Sequence, residues 1–107
     1  MDTTTVEIVS FQFKSQVTEQ QINSTHLAVN QLLLAQPGFY YRSLSCDENG
    51  QWFDVVYWKN MSCAKKAADV FMDSEAGQAM LQLIEGESVS LRYMDAVSEV
   101  SSEACAA

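Results

Sequence analysis

The chain has 107 residues, 48% of them hydrophobic and 19% charged, with one Pro, four Gly and a formal charge of −8 from six Lys and Arg against fourteen Asp and Glu. That length fits one domain, expected over residues 1–97, and the apolar, aromatic composition is wrong for a disordered chain. So few cations cannot build an extended phosphate-binding surface, which argues against a nucleic-acid partner, and no apolar run approaches the roughly 20 residues that span a bilayer.

The N-terminus has no basic region followed by a hydrophobic stretch, so a cytoplasmic protein with no membrane partner is expected. Cys46, Cys63 and Cys105 form neither a CxxC pair nor an even set, which favours reduced thiols over a disulfide framework or a metal site. Cys63 falls in the first turn of an expected helix, where N–H groups can stabilise a thiolate; the alternative is a small, half-buried residue.

In chain order, Thr5 to Phe13 alternates and is rich in β-branched and aromatic types, which predicts a first strand. From Thr18 to Gln36 the period becomes helical: Ile22, His26, Val29 and Leu33 stack along one face. Pro37-Gly38 stops that helix. Phe39 to Cys46 predicts a second strand, Asp47-Glu48-Asn49-Gly50 a tight turn, and Gln51 to Lys59 a third strand. Ser62 is the expected N-cap of an Ala-rich helix, which Asp73-Ser74 breaks and recaps into a further helix through Ile84. Gly86 ends it, and Ser88 to Met94 predicts the last strand. The order β-α-β-β-α-β specifies an α+β, ferredoxin-like sandwich: a four-stranded antiparallel sheet with helices on one face. Residues 98–107 (SEVSSEACAA) are small and polar, and are expected to form a flexible tail unless a partner holds it.

The third strand is apolar on both sides. Trp52, Val56 and Trp58 point one way and Phe53, Val55 and Tyr57 the other, with Asp54 the interruption. The second strand puts Phe39 and Tyr41 on one face and Tyr40 and Leu44 on the other, and the first sets Val6 and Ile8 against Val9 and Phe11. A bare apolar face of that size is an aggregation hazard, and a second copy covers it economically, because a two-fold contact needs one self-complementary surface. A homodimer through sheet faces is therefore expected. Val56 is the position chosen to test it: Asp there should separate the subunits or unfold the chain if its face is the interface.

The run Gln36-Pro37-Gly38-Phe39-Tyr40-Tyr41-Arg42, the hairpin Asp47-Glu48-Asn49-Gly50-Gln51-Trp52 and Val55-Val56-Tyr57-Trp58-Lys59-Asn60 before the Ala-rich helix carry a resemblance. Over roughly residues 5–94 the chain resembles the antibiotic biosynthesis monooxygenase group of the dimeric α+β barrel superfamily. Phe71-Met72-Asp73-Ser74-Glu75-Ala76, with Leu83-Ile84 and Ser88-Val89, resembles a branch of that superfamily to which no reaction is attached. The resemblance implies a dimeric barrel and a choice among oxygenation of quinol-like aromatics by O2 without metal or flavin, haem degradation, and no catalysis. Haem-degrading members use an Asn on the first strand and a Trp and a His on the second helix; this chain has none of these there.

A cofactor-free oxygenase needs an apolar pocket, a group to take a phenolic proton, and exclusion of water. His26, the single histidine, is the candidate catalytic base or hydrogen-bond donor. Its alternative is a buried imidazole bonded to a strand hydroxyl such as Ser43 or Tyr41. Its position in the helical stripe predicts a side chain mostly removed from solvent and facing the strands. Tyr41, Arg42, Trp52, Trp58 and Arg92 are the candidate substrate-binding residues. Tryptophans in such strands are more often core or dimer contacts, and each arginine also reads as a partner of Asp54 or a salt bridge at the sheet edge or dimer rim. No cofactor or metal is called for. Two functions remain: a cofactor-independent monooxygenase acting on a small aromatic or quinol-like ligand, or a non-catalytic ligand-binding or stress-related dimeric module. A pocket of about 300 Å³ or more holding His26 with a shifted pKa favours the first, and a filled interior the second.

Overall fold

The computed structural model describes residues 3–102 and runs β1 (Thr5–Phe11), α1 (Glu19–Leu34), β2 (Phe39–Cys46), β3 (Trp52–Trp58), α2 (Met61–Asp73), α3 (Glu75–Leu83), a 3-10 turn (Gly86–Ser88) and β4 (Ser90–Asp95). The strands form one antiparallel sheet in the order β2-β3-β1-β4, the ferredoxin-like arrangement, with the helices on one face. Among the described residues, no helix is long and apolar enough to cross a membrane.

Local chemistry sets the boundaries. Thr18 caps α1 reciprocally: its Oγ1 accepts from Gln21 N–H at 3.2 Å, and Gln21 Oε1 accepts from Thr18 N–H at 2.8 Å. Gly38 follows α1 with φ +81°, and a Cβ there would lie 2.5 Å from Cys63 Sγ, so both backbone conformation and the close approach of α2 require glycine. In the β2–β3 turn, Asp47 Oδ1 accepts from the N–H groups of Asn49 and Gln51, both at 2.9 Å. The N-cap of α2 is Asn60, not Ser62: its Oδ1 accepts from Cys63 N–H at 2.9 Å, which an oxygen at position 62 is too close in sequence to do. Ser74 ends α2 and starts α3, with Oγ donating to Phe71 O at 2.8 Å and accepting from Gly77 N–H at 2.9 Å. The first strand stops at Phe11, and Phe13 forms an isolated bridge with Ile84.

The core lies between sheet and helices, built from Phe11, Val56 and Trp58 on the strands, Val29 and Leu33 on α1, Ala64 and Ala67 on α2, and Met80 on α3. Val56 is only 5% exposed on this helix-covered side, so it does not mark the open face. The open face carries Phe53, Val55 and Tyr57 of β3, with Val6 and Ile8 of β1 in register beside them. On β2 a bulge corrects the expected parity: Phe39 pairs with Trp58 and Tyr41 with Tyr57, two steps against one. Phe39 therefore turns to the core, edge-on to Trp58, while Tyr41 turns to the open face, 6.1 Å from the Tyr57 ring. Residues 98–102 have no regular structure, and Val97 and Val100 are almost fully exposed. Residues 103–107 of the expected tail, Cys105 included, lie outside the described residues.

Candidate functional site

The half of the sheet beneath α1 carries a buried ion pair. Arg42 on β2 and Asp54 on β3 both point to the helices, with side chains 4% and 11% exposed. Arg42 Nε and Nη2 donate to the two carboxylate oxygens of Asp54 at 2.9 and 2.7 Å, a bidentate pair. Its Nη1 donates upward into α1, to the His26 carbonyl at 3.3 Å and to Asn30 Oδ1 at 2.8 Å. Four of the five guanidinium N–H donors are thus engaged by the protein.

Beside this pair, α1 stands off the sheet and leaves a cavity of about 370 Å³ lined by Ile22, Asn23, His26 and Asn30 from the helix and Arg42, Leu44 and Trp52 from the strands. Ile22, His26 and Asn30 are spaced by four residues, so one helical face supplies an apolar wall, an imidazole and an amide in successive turns. Leu44 and Trp52 form the opposite apolar wall, and Trp52 is itself held edge-on by Phe13 at 5.2 Å between ring centroids. His26 is half-buried and faces the strands. Its ring makes no hydrogen bond among the described residues, and Ser43 and Tyr41 lie on strand positions directed to the other face. A small-molecule site commonly has such a mixed lining of apolar walls and a few directed polar groups.

Three of the expected binding residues lie elsewhere. Tyr41 is 58% exposed on the open face, where it lines a separate cleft of about 850 Å³ with Val6, Tyr40, Tyr57 and the segment from Ala96 to Ser101. Arg92 pairs in register with Ile8 and shares its open face at the β4 edge. Trp58 is 1% exposed in the core at the far end of β3 and lines neither cavity. Strand parity accounts for Tyr41 and Arg92; the length of β3 separates Trp58 from Trp52. Asn23 and Asn30 were not picked out from the sequence, although Asn30 shares the stripe of Ile22 and His26 at the same four-residue step.

A second polar cluster lies on the same helix-covered face. Trp58 Nε1 donates to Glu7 Oε1 at 2.9 Å. Burial pushes the Glu7 carboxyl above the ordinary glutamate range; the indole hydrogen bond opposes this, and the charge of Asp54 adds to the rise. Burial likewise raises the Tyr93 phenol, with the Glu7 and Asp69 charges adding to it, and Lys65 Nζ sits 4.4 Å over the Tyr93 ring. Thr5 Oγ1 is buried without a hydrogen-bond partner among the described residues. Among the described residues, Cys46 is an exposed free thiol and Cys63 a half-buried one, and no three His, Cys, Asp or Glu side chains converge as metal ligands.

No protein-family profile and no curated protein sequence matches the chain. Solved structures do. SnoaB, a cofactor-independent oxygenase from Streptomyces nogalater, superposes with a TM-score of 0.73 at 11% identity, over 94% of this chain and 99% of that one. A candidate antibiotic biosynthesis monooxygenase from Caulobacter crescentus gives 0.73 at 18% identity, over 91% and 92%. A dimeric ferredoxin-like protein of unknown function from Thermobifida fusca gives 0.74 at 14%, over 90% and 93%. The chain thus shares the ferredoxin-like α+β fold of these structures. At these identities the likeness establishes the fold, and the chemistry rests on the site.

Proposed function

We propose that the protein is a homodimeric, cofactor-independent monooxygenase that holds a small aromatic or quinol-like substrate in the cavity beneath α1. The observation that carries this reading is the cavity itself: about 370 Å³, walled by Ile22, Leu44 and Trp52, with an uncommitted imidazole, His26, directed into it. Of the two marks expected of an oxygenase pocket, the volume is present. His26 takes the phenolic proton of the bound substrate, and the phenolate so formed is electron-rich enough to reduce O2. One oxygen atom enters the substrate as a carbonyl in place of two hydrogens, the other leaves as water, and the four electrons come from the substrate. That SnoaB is a cofactor-independent oxygenase on the same fold supports the reaction class.

The dimer forms through the open sheet face, where Phe53 is 38% and Tyr41 58% exposed and Val6, Ile8, Val55 and Tyr57 adjoin them. The domain is residues 1–97, the remainder a tail, and the free thiols suit a reducing cytoplasm.

The test is O2 uptake with an anthrone probe, compared with buffer. Wild type should accelerate it, and His26→Ala should lose about 100-fold or more of that acceleration with its melting temperature nearly unchanged. Uptake equal to buffer in both proteins would overturn the oxygenase. A non-catalytic binding module is the second reading, favoured by one observation: Asp54 is committed to the cavity-lining Arg42, and no carboxylate hydrogen-bonds His26 among the described residues.

A further inference from the structure

The geometry points to Asn30 as the residue that selects the ligand, by offering amide donors that call for a neutral oxygen acceptor, not a carboxylate or phosphate, in the cavity. This rests on the reading that the cavity beneath α1 is a ligand site. An arginine in such a pocket would ordinarily suggest an anionic substrate. Here Arg42 is already neutralised in a bidentate pair with Asp54, its side chain is 4% exposed, and two further donors go to α1. An anion entering the cavity would meet no free cation, while the chain as a whole carries −8.

Arg42 instead determines how Asn30 is presented. A guanidinium is donor-only, so the atom that meets Nη1 at 2.8 Å must be the amide oxygen of Asn30. The Asn30 NH2 group is thereby turned away from Arg42, and its two N–H bonds have no partner among the described residues while the side chain lines the cavity. His26 stands one turn earlier on the same face, and its carbonyl is gripped by the same Nη1. Asp54 fixes Arg42, Arg42 fixes Asn30, and Asn30 offers directed neutral donors to an oxygen acceptor beside the imidazole. Arg42 is a positioning residue and Asn30 a substrate-binding one. Directed donors that are left unpaired by a ligand without a matching oxygen give the discrimination.

Three probes of similar size separate the possibilities: 1-tetralone, a neutral aryl ketone; tetralin, its skeleton without oxygen; and 1-naphthoate, an anion. Calorimetry should rank 1-tetralone about tenfold or more above both others, and the Asn30 side-chain amide resonances should shift on titration. Asn30→Asp keeps an acceptor for Arg42 but removes both donors; it should fold and bind 1-tetralone about tenfold or more weaker, no better than tetralin. The inference is overturned if 1-naphthoate binds as tightly as 1-tetralone, or if Asn30→Asp leaves the ketone's affinity within about twofold. Should that variant not fold, the wild-type ranking and the Asn30 amide shifts decide. Failure of all three probes to bind overturns both this inference and the ligand site, whereas tetralone binding without anthrone-dependent O2 uptake removes the oxygenase alone.

Discussion

The two faces of the sheet are inverted relative to a simple sandwich. The face covered by helices carries Glu7, Arg42 and Asp54, whereas the face open to solvent carries Val6, Ile8, Phe53, Val55 and Tyr57. Charges under helices are costly unless partnered, and apolar strands in water are costly unless covered. The inner face meets its requirement within the chain through the Arg42–Asp54 pair and the Trp58–Glu7 bond. On the outer face no helix covers the strands among the described residues, and only the segment from Ala96 to Ser101 borders it. The contrast supports the proposed dimer, in which a second copy would cover the outer face while the inner face satisfies its polar groups within the chain.

The sharpest way to break the comparison is on the inner face. Asp54→Leu leaves Arg42 buried without its carboxylate and should cost about 3–5 kcal/mol in urea unfolding, enough to threaten a domain of ordinary stability. An unchanged midpoint would mean that the pair is not an internal structural charge.

On the outer face, Tyr57→Asp should weaken self-association about 100-fold or more, halving the mass seen by light scattering at micromolar concentration, while the helical signal persists. A wild type already near 12 kDa would show that the apolar face stays bare in solution. Thr5→Val, an isosteric removal of the unpartnered buried hydroxyl, should stabilise the fold by about 1 kcal/mol; destabilisation would reveal a partner for Oγ1.

Smallest is Glu7→Gln. A carboxyl whose proton affinity rises on folding weighs against the fold once ionised. That cost is absent below the ordinary glutamate pKa and fully present above the raised one. Gln keeps an oxygen for Trp58 Nε1, so the variant should melt slightly higher than wild type at pH 8 and show no advantage in acid. An advantage that grew toward low pH would reverse the assigned sign.

The elements were legible because their signals are local. The four-residue stripe of α1, the Asp47 turn and the Ser74 break each act within a few residues, and the stripe alone directs His26 toward the strands. The N-cap of α2 was misplaced by two residues, since Asn60 and Ser62 are both good caps and only the path of the chain chooses between them. The site was half legible: His26, Arg42 and Trp52 come together, whereas Tyr41, Trp58 and Arg92 do not. Tyr41 precedes Arg42 by one residue, so ordinary alternation puts the two on opposite faces; the bulge at Tyr40 turns Phe39 to the core, and nothing in the aromatic run Phe39-Tyr40-Tyr41 announces it.

The sequence by itself determined the order of elements, the topology class and the fact that β3 is apolar on both sides. Only the tertiary structure decided which of those sides the helices cover, because alternation is symmetric: Val56 and Val55 are interchangeable on the strand and distinguishable only by what packs over them. Tertiary structure also decided the cavity, whose volume is the gap left where α1 stands off β2 and β3. The side chains that line it come from residues 22 to 52, brought together by the register of the hairpin and the resting distance of the helix. No local pattern encodes that distance, because the contacts that seat α1, Val29 and Leu33 in the core and Arg42 on Asn30, join residues far apart in sequence.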